Sequence, residues 1–560
     1  MSSNRRRFLT EVTAALGTAA LGARPLAALV HAPAVRRRAD YDLIIRGGTV
    51  FDGTGAQGIE ADVAITGARI ARVARRIAER GGEEIDASGL AVAPGFIDIH
   101  SHGDGSLEAD PRAESLIRQG ITTIVVGQDG SSRATGARSE EPGAGSEEQR
   151  SESFTALFKS IDDLRPAVNV ASMVGLGSVR SAVVGAGNRR ATPNEIARMT
   201  ALVERALAEG ACGASSGLEY TPGGFASQDE LIALCKPLAA RRLPYATHMR
   251  NEDDRLLDSI DESIAVARGA GCPLQISHLK TQGPRNWNKL DTVFARMESA
   301  QKAGLDVAFD RYPYIAYQTG LTNLFPIWSR DGGTAAFLAR LDTAGVAERI
   351  RTETLGKVEL IGGWDNVQVS GVRSDEDRGA EGQRLGRYAQ SIGRDPYELA
   401  TTLLKRNRGG VNMVGFAMSE DNLERILAHP LGMVCSDGGA FAIEGAARRG
   451  HPHPRGLGSF PRVLAKYVRE RRALTLPQAI HKMTALPATR VHIVDRGRLT
   501  QERAADIVVF DPARVADRAT FDAPFQYPDG IAAVVVNGGI ALREGQRSEK
   551  RGGRALRVGT

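Results

Sequence analysis

Cysteine is scarce in this chain: four occur among its 560 residues, and no two of them form a CxxC pair. They are too few and too scattered for a disulfide framework. Three of them, Cys212, Cys272 and Cys435, lie in or beside short apolar runs. Buried free cysteines behave as small hydrophobic side chains, and we interpret these residues in that way.

Aromatic residues are also few, at 5% of the chain. The formal net charge is +6, but the arginines are spread along the sequence and do not form a basic stripe. A nucleic-acid-binding protein combines such a stripe with aromatic side chains or a reading motif. We therefore expect no nucleic-acid partner.

Long apolar runs are absent as well, since no stretch reaches the roughly 18 apolar residues of a membrane span. The N-terminus instead has the layout of an export signal. Arg5-Arg6-Arg7 precedes Phe8-Leu9, a weakly apolar run over residues 12–23 and a small-residue exit at Ala32-Pro33-Ala34. We predict a twin-arginine signal peptide over residues 1–34 and an exported, periplasmic protein without a stable membrane anchor; a basic N-terminal arm is the alternative.

Strand patterns occur at both ends of the remaining chain. Residues 41–93 contain alternating apolar residues broken by glycine and aspartate turn signals, and the same pattern returns over residues 491–550. Alternation with a period of two is typical of half-buried strands. We expect the two ends to assemble into one small β-sandwich.

The middle region, residues 94–490, alternates short apolar runs with amphipathic segments. Strand–helix alternation over about 400 residues is typical of an α/β fold of the TIM-like (β/α)8 barrel type. A doubly wound sheet is the structural alternative, but no GxGxxG follows the first strand. The stretch 317–363 is long for a barrel connection, so we predict an insertion there.

The first candidate site lies in the sequence PGFIDIHSH, which ends at His102. His100 and His102 are two residues apart, so both side chains leave the same face of a strand. Two imidazoles on one face at a strand end can bind one metal ion. The Pro-Gly turn before them marks the entry of the chain into the barrel.

Three further polar residues each follow an apolar run. His248 ends PYATH, His278 ends QISH, and Asp437 follows MVCS. In barrels of this type the carboxyl ends of the strands form the active-site face. We therefore expect these side chains to converge with His100 and His102 and to form a metal site.

The motifs resemble those of a known family. GFIDIHSH, GITTIVVG, SSGLEYTPGGFAS, THMRNE, ISHLK and CSDG occur in this order, with HPRGLGSF after them. The series is similar to that of the N-acyl-D-amino-acid deacylases, or D-aminoacylases, of the amidohydrolase superfamily. The resemblance covers nearly everything from Tyr41 to the last strands. It implies a zinc-dependent barrel with a β-sandwich, acting on N-acylated D-amino acids.

The resemblance also implies roles for individual residues, carried over by position. His100, His102 and Asp437 would hold one metal ion, and His248 and His278 would belong to a second position, so that one or two zinc ions are expected. Asp437 would in addition take a proton from the attacking water and deliver it to the leaving amine. A carboxylate beside the metal is well placed to move this proton.

One position departs from the family's pattern. Where D-aminoacylases have a cysteine ligand, this chain has Asp129, in VVGQDG. A carboxylate can bind or bridge zinc ions, but it is a harder ligand than a thiolate. We expect Asp129 either to bridge the two positions or to leave the second one weakly occupied. Glu219 is an alternative donor.

Substrate contacts are carried over from the same resemblance. A free α-carboxylate requires fixed cationic and hydroxyl donors. Lys280, Tyr220 and Tyr312 are the expected clamp, although the family often has a serine near Gln318. Independently of the resemblance, Arg455 is assigned to the substrate entrance, with a solvated loop as the alternative.

The sequence therefore predicts hydrolysis of a small N-acyl-D-amino acid to a carboxylate and a free D-amino acid. The alternative on the same barrel is a dipeptidase or a cyclic-amide hydrolase of the dihydroorotase or hydantoinase type. Those enzymes often carry a carboxylated lysine bridge, and no clear lysine lies at an internal strand end before His248. A non-catalytic metal-binding protein is disfavoured, because binding alone does not require a proton carrier such as Asp437.

Overall fold

The computed structural model describes residues 39–134 and 153–559. Asp40–Thr560 form one compact unit. The predicted signal peptide, residues 1–34, lies outside the described residues and stays a prediction. In the part of the chain that is described, no helix combines the length and the apolar character needed to cross a membrane. All four cysteines are free and buried, as expected.

The strands are, in chain order, β1 Tyr41–Val50, β2 Ile59–Thr66, β3 Arg69–Ala74, β4 Gly81–Asp86, β5 Ala91–Pro94, β6 Phe96–Asp98, β7 Ile121–Val126, β8 Asn169–Ser172, β9 Val174–Gly175, β10 Ala214–Gly217, β11 Tyr245–His248, β12 Leu274–Ile276, β13 Val307–Arg311, β14 Ala316–Gly320, β15 Val367–Gly371, β16 Asn412–Phe416, β17 Gly432–Val434, β18 Ile507–Phe510, β19 Ile531–Val536, β20 Gly539–Arg543 and β21 Gln546–Arg547.

The α-helices are α1 Asp104–Leu107, α2 Glu114–Ile117, α3 Phe154–Leu164, α4 Leu176–Val183, α5 Pro193–Ala208, α6 Gln228–Ala239, α7 Leu256–Ala270, α8 Leu290–Lys302, α9 Gly333–Arg340, α10 Val346–Leu360, α11 Leu385–Ser391, α12 Pro396–Arg406, α13 Glu420–Ala428, α14 Arg455–Arg462, α15 Leu476–Met483 and α16 Ala485–Arg490. A π-helical segment, Val463–Glu470, continues α14.

Both ends of the chain contribute to one nine-stranded sheet. Its order is β21-β20-β19-β18-β5-β1-β2-β3, with β4 paired to β1. The join is made by β18, which pairs antiparallel with β5. Alternating residues such as Leu43, Ile45, Val63 and Val509 belong to one buried cluster on this sheet. The alternation seen in the sequence therefore marks the face that the sheet buries.

Two sheets of the middle region contain only parallel pairs. One has the order β17-β13-β12-β11-β10-β9, and the other has the order β6-β7-β8. Every residue of β7 and β13 is buried. Strands covered on both faces do not require the strict alternation of apolar and polar residues that marks a half-buried strand. The predicted α/β class is confirmed.

Backbone hydrogen bonds connect these two parallel sheets at both edges. At the end of β8, Ser172 O accepts a hydrogen bond of 3.0 Å from Cys212 N, which lies just before β10. Beyond β6 and β17, Asp437 N donates to His100 O at 2.8 Å. Because the strands run parallel, their carboxyl ends lie at the same side of the sheets, and that side carries His100 and Asp437.

The longest helix, α5, shows how local sequence sets the helix ends. Thr192 accepts a hydrogen bond from Glu195 N, and the Glu195 carboxylate accepts one from Thr192 N, with Pro193 at the first helical position. This capping box satisfies N–H groups that have no partner within the helix. Met199 and Val203 then face the core, where both are completely buried.

A separate antiparallel sheet, β14-β16-β15, lies between β13 and β17 in the sequence. The predicted insertion, residues 317–363, begins within β14 and includes α9 and α10. These elements supply side chains to the site described next.

Candidate active site

The six candidate ligands predicted from the sequence lie together at the carboxyl ends of the parallel strands. They form two groups whose potential ligand atoms lie within 4.8 Å of one another, the first with His100, His102, Asp129 and Asp437, the second with Asp129, His248 and His278. The structure thus brings together every residue that the sequence suggested as a ligand, and Asp129 belongs to both groups.

Asp129 lies between the two pairs of histidines. Its Oδ1 is 3.5 Å from Nε2 of His100 and 3.5 Å from Nε2 of His278. Its Oδ2 is 3.4 Å from Nε2 of His102 and 3.8 Å from Nδ1 of His248. Each carboxylate oxygen therefore faces one histidine of each pair, so Asp129 lies within reach of both pairs.

The backbone at Asp129 is held in an uncommon conformation. Its φ is +52°, a region that few residues other than glycine adopt and in which aspartate is enriched. Gly217, at the end of β10, contacts the Asp129 carbonyl so closely that a Cβ there would lie 2.1 Å from the oxygen. His278 and Asp437 also have positive φ, at +35° and +49°. Such conformations cluster at functional sites.

Asp437 contacts both a histidine pair and an arginine. Its Oδ1 is 3.1 Å from Nε2 of His102, and its Oδ2 accepts a hydrogen bond of 2.7 Å from Nη1 of Arg455. Burial would raise the pKa of Asp437, but the Arg455 guanidinium and the His100 ring outweigh it and hold this pKa well below its usual range. The carboxylate is therefore ionised.

Asp98 of the PGFID motif positions the loop that carries Asp437. Its carboxylate accepts hydrogen bonds from the backbone N and the hydroxyl of Ser436. Burial raises the pKa of Asp98 to about 7, although Ser436 lowers it. This contact connects the strand end before His100 directly to the residue before Asp437.

Several buried polar atoms of the site have no aligned hydrogen-bond partner among the residues that the structure describes. They include both ring nitrogens of His100 and Oδ1 of Asp129. A buried polar group without a partner is costly, so such atoms call for a ligand. Imidazole nitrogens and carboxylate oxygens facing one another are donors that zinc prefers. The residues present therefore fit a bound metal ion.

The carboxylates hold protons on these histidines when no ion is bound. Partial desolvation lowers the pKa of His102, whose side chain is 41% exposed, but its contacts with Asp129 and Asp437 raise that pKa to about 9. Burial also lowers the pKa of His248, whereas Glu252 and Asp129 raise it to about 10. The cluster is thus neutralised by protons at positions that a cation would otherwise occupy.

We expect zinc uptake to release protons from this cluster. His102 and His248 hold protons at neutral pH in the ion-free protein, and a metal ligand must be deprotonated. The apparent zinc affinity should therefore rise as the pH increases from 7 towards 9. Calorimetric titration in buffers of different ionisation enthalpy should show about one proton or more released per ion. An affinity that does not change over this range would contradict the assignment.

Lys280, predicted to contact the substrate, has two partners within the cluster. Its Nζ donates to Oε1 of Glu252 at 2.6 Å and lies 2.6 Å from Nδ1 of His278. The side chain is buried. The lysine therefore lies directly behind a predicted ligand histidine.

The other predicted substrate residues surround the same cluster. The Tyr220 ring packs 4.7 Å from the His248 ring. The Tyr312 ring lies 4.8 Å from the Arg455 guanidinium, and its buried hydroxyl has no hydrogen-bond partner in the described part of the chain. Arg455 is itself 5% exposed, so it belongs to the site and not to a solvated loop.

Sequence reasoning missed two carboxylates behind the histidines. Asp310 Oδ1 lies 3.3 Å from Nδ1 of His100 and accepts a hydrogen bond of 2.8 Å from His278 N. Glu252 Oε1 lies 3.2 Å from Nδ1 of His278. Their positions in the sequence could have identified both residues. Asp310 lies near the carboxyl end of β13, and Glu252 follows His248 by four residues.

Comparison with known proteins agrees with this geometry. A model of the amidohydrolase family matches residues 83–351 and 445–541, which defines the class. An N-acyl-D-glutamate deacylase of Alcaligenes xylosoxydans xylosoxydans is 37% identical over 523 residues, covering 92% of this chain and 96% of the relative. A D-aminoacylase of the same organism is 34% identical, covering 92% and 97%. The chain belongs to the D-aminoacylase family of amidohydrolases, as the motifs predicted.

Solved structures give the same result. The N-acyl-D-glutamate deacylase from Bordetella bronchiseptica, complexed with zinc and a phosphonate mimic of the tetrahedral intermediate, is 35% identical, with a TM-score of 0.78 over 92% of this chain and 100% of that chain. An L-hydantoinase from Arthrobacter aurescens is 16% identical, with a TM-score of 0.55 over 92% and 100%. The second likeness shows a shared fold alone.

Proposed function

We propose that this protein is a zinc-dependent deacylase that hydrolyses the amide bond of N-acyl-D-amino acids to a carboxylate and a free D-amino acid. The observation that carries the proposal is the convergence of four histidines and two aspartates from separate strand ends. Buried ligand atoms that have no hydrogen-bond partner in the described part of the chain support it. The proposal is also supported by the membership of this chain in a family that includes deacylases of N-acyl-D-glutamate and N-acyl-D-aspartate.

The proposal includes the finer architecture. The parallel strands β6, β7, β8, β10 to β13 and β17 would close into the predicted (β/α)8 barrel, since hydrogen bonds connect both edges of the two sheets. The nine-stranded sheet would be the predicted β-sandwich beside it. Barrel closure would place all ligand-bearing strand ends around one opening.

Each predicted ligand has a place in this proposal. His100, His102 and Asp437 would hold one zinc ion, and His248 and His278 would hold a second, with Asp129 between the two positions. When bound, zinc lowers the pKa of water to about 7 and polarises the acyl carbonyl. His102 has the most accessible side chain of the four histidines, at 41% exposed, so the substrate would approach from its side.

Asp437 would carry the proton during the reaction. Its carboxylate is ionised, buried and fixed by Arg455. It would accept a proton from the attacking water and deliver it to the nitrogen of the breaking amide bond, so that the amine leaves uncharged. The second oxygen, bonded to Arg455, keeps the carboxylate in one orientation throughout.

The α-carboxylate of the substrate would be recognised beside Asp437. Tyr312 offers a buried hydroxyl that has no hydrogen-bond partner among the described residues, and Arg455 offers positive charge. Lys280 lies behind His278, bonded to Glu252, and is not placed in this clamp. Charge-assisted hydrogen bonds from such groups fix a carboxylate strongly. The amide carbon would then lie over the ligand histidines, where hydrolysis takes place.

A substrate screen tests this function. Matched D and L forms of N-acetylated glutamate, aspartate, leucine and methionine would be incubated with the zinc-loaded enzyme, and the released amine measured. We expect turnover of D forms in clear preference to L forms. Hydantoin and dihydrouracil serve as probes of the cyclic-amide alternative. Faster opening of either ring, or equal turnover of both enantiomers, would contradict the proposal.

A further inference from the structure

The two ring nitrogens of His248 face different surroundings. Nδ1 lies 3.0 Å from Nε2 of His278 and 3.8 Å from Oδ2 of Asp129, within the second ligand group. Nε2 points away from that group and lies 3.4 Å from Oε2 of Glu219 in an aligned hydrogen bond. The His248 and Glu219 side chains are 6% and 9% exposed, so little water competes for this contact.

If Nδ1 of His248 binds a metal ion, the position of the ring proton is fixed. A neutral imidazole has one proton, which must then lie on Nε2 and needs an acceptor. A carboxylate in that place fixes the tautomer and the ring orientation and makes the ligand nitrogen more basic. We propose that Glu219 is this positioning residue: it accepts the Nε2–H of His248 and keeps Nδ1 turned towards the second metal position. The inference deepens the proposed function and rests on it.

Residues of the predicted insertion contact Glu219 and fix its position. Asn323 Nδ2 donates to the same Oε2 at 3.0 Å, and Lys357 Nζ lies 4.0 Å from Oε1. Arg330 Nη2 donates to the backbone carbonyl of Glu219 at 2.9 Å. All three residues lie within the predicted insertion, residues 317–363. The insertion therefore fixes the carboxylate, and the carboxylate fixes the histidine.

Glu252 is the competing acceptor, and the geometry disfavours it. Its Oε2 lies 3.9 Å from Nε2 of His248, farther than Glu219. Its two oxygens already accept hydrogen bonds from Lys280 at 2.6 Å and from Gln282 at 3.1 Å. Glu219 is therefore the residue through which His248 is oriented.

The role has a chemical reason in this chain. Asp129 contributes a carboxylate to the second position, and a carboxylate is a harder ligand for zinc than a thiolate. A second position that contains Asp129 instead of a thiolate depends more on its histidines. A carboxylate behind His248 strengthens one of these two nitrogens and so partly offsets the weaker ligand.

Zinc binding by the metal-free protein tests the proposal without reference to turnover. Glu219→Gln keeps the shape of the side chain and removes its charge. We expect the second zinc ion to bind about 10–100-fold more weakly in this variant, with the first ion unchanged, in competition titrations against a chelator. Glu252→Gln tests the competing acceptor and is not a neutral control, since Oε1 of Glu252 lies 3.2 Å from Nδ1 of His278. Asp377→Asn controls for loss of a buried carboxylate outside the cluster, since Asp377 bonds Arg406 and Asn407.

Several outcomes would overturn the proposal. Unchanged affinity for the second zinc ion in Glu219→Gln would overturn it. A loss of this affinity seen only in Glu252→Gln would also overturn it. If Glu219→Gln unfolds, the zinc-loaded wild-type protein still decides the question through ¹⁵N histidine shifts or its structure. Zinc on Nδ1 of His248 with the Nε2 proton on Glu219 supports the role. Zinc on Nε2, or on a Glu219 oxygen, refutes it.

The experiments distinguish failure of the Glu219 role from failure of the proposed function. Weakened zinc binding in Glu219→Gln, with no hydrolysis of any N-acyl-D-amino acid by the wild-type protein, would remove the function and keep the positioning role. Hydrolysis by the wild-type protein together with unchanged zinc binding in the variant would remove the role and keep the function.

Discussion

Asp437→Asn is expected to lower turnover of N-acyl-D-amino acids by a factor of at least about 10²–10⁴, the usual contribution of a positioned acid and base. An amide cannot accept the proton from the attacking water. The fold should survive the change, because asparagine tolerates the φ of +49° found at this position. The amide oxygen can also still accept the hydrogen bond from Arg455.

The measurement is kcat of the zinc-loaded variant, with zinc content determined on the same sample. Zinc content matters because Asp437 is also a proposed ligand, and a loss of metal would lower kcat for a different reason. Asp377→Asn is the matched control and should keep both turnover and zinc. Near-normal kcat with a full complement of zinc in Asp437→Asn would remove Asp437 from the proton transfer.

The ligand cluster could be predicted because its members share one local signal. His248 is the last residue of β11, and His278 and Asp437 follow β12 and β17 by two and three residues. Each therefore ends or follows a buried apolar run. Parallel strands bring their carboxyl ends to one side, so convergence follows from the strand pattern without knowledge of the strand order.

Partners outside the ligand group could not be predicted in this way. The contact of Lys280 with Glu252 depends on the backbone after β12, where the φ of +35° at His278 ends the regular alternation of faces. The alternation of side chains between the two faces of a strand therefore does not predict the direction of the Lys280 side chain. Asp310 was missed for a different reason: it lies inside β13, before the end of the strand, whereas the predicted ligands end or follow their strands.

The contacts made by the predicted insertion could not be predicted from the sequence either. Its length is visible in the sequence, but nothing in residues 317–363 indicates that Asn323 and Lys357 reach Glu219. These contacts arise from docking between elements, which depends on the packed fold and not on local propensity. Sequence reasoning placed Glu219 among the candidate donors, and the structure shows which histidine nitrogen it faces.

Asp129 gives the second large effect, because it belongs to both ligand groups. Asp129→Ala should lower the zinc content of the dialysed protein from about two ions to about one, and turnover with it. Without this carboxylate the second position keeps only His248 and His278. The first position keeps two histidines and Asp437, which is the number of protein ligands typical of a catalytic zinc site.

Two further substitutions separate the ligand role from a backbone effect. Asp129 has a φ of +52°, where a residue such as alanine is disfavoured by about 1–2 kcal/mol. Asp129→Asn tolerates this conformation and removes only the charge, so it should lose the second zinc ion as well. Asp129→Cys should recover or exceed the original zinc affinity if the sulfur can reach about 2.3 Å from the ion, because zinc favours thiolate. Zinc content after dialysis, measured beside turnover, follows all three variants. Unchanged zinc in Asp129→Asn together with unchanged zinc in Asp129→Ala would show that Asp129 is not a ligand, and that the histidine pairs bind zinc without a bridge between them.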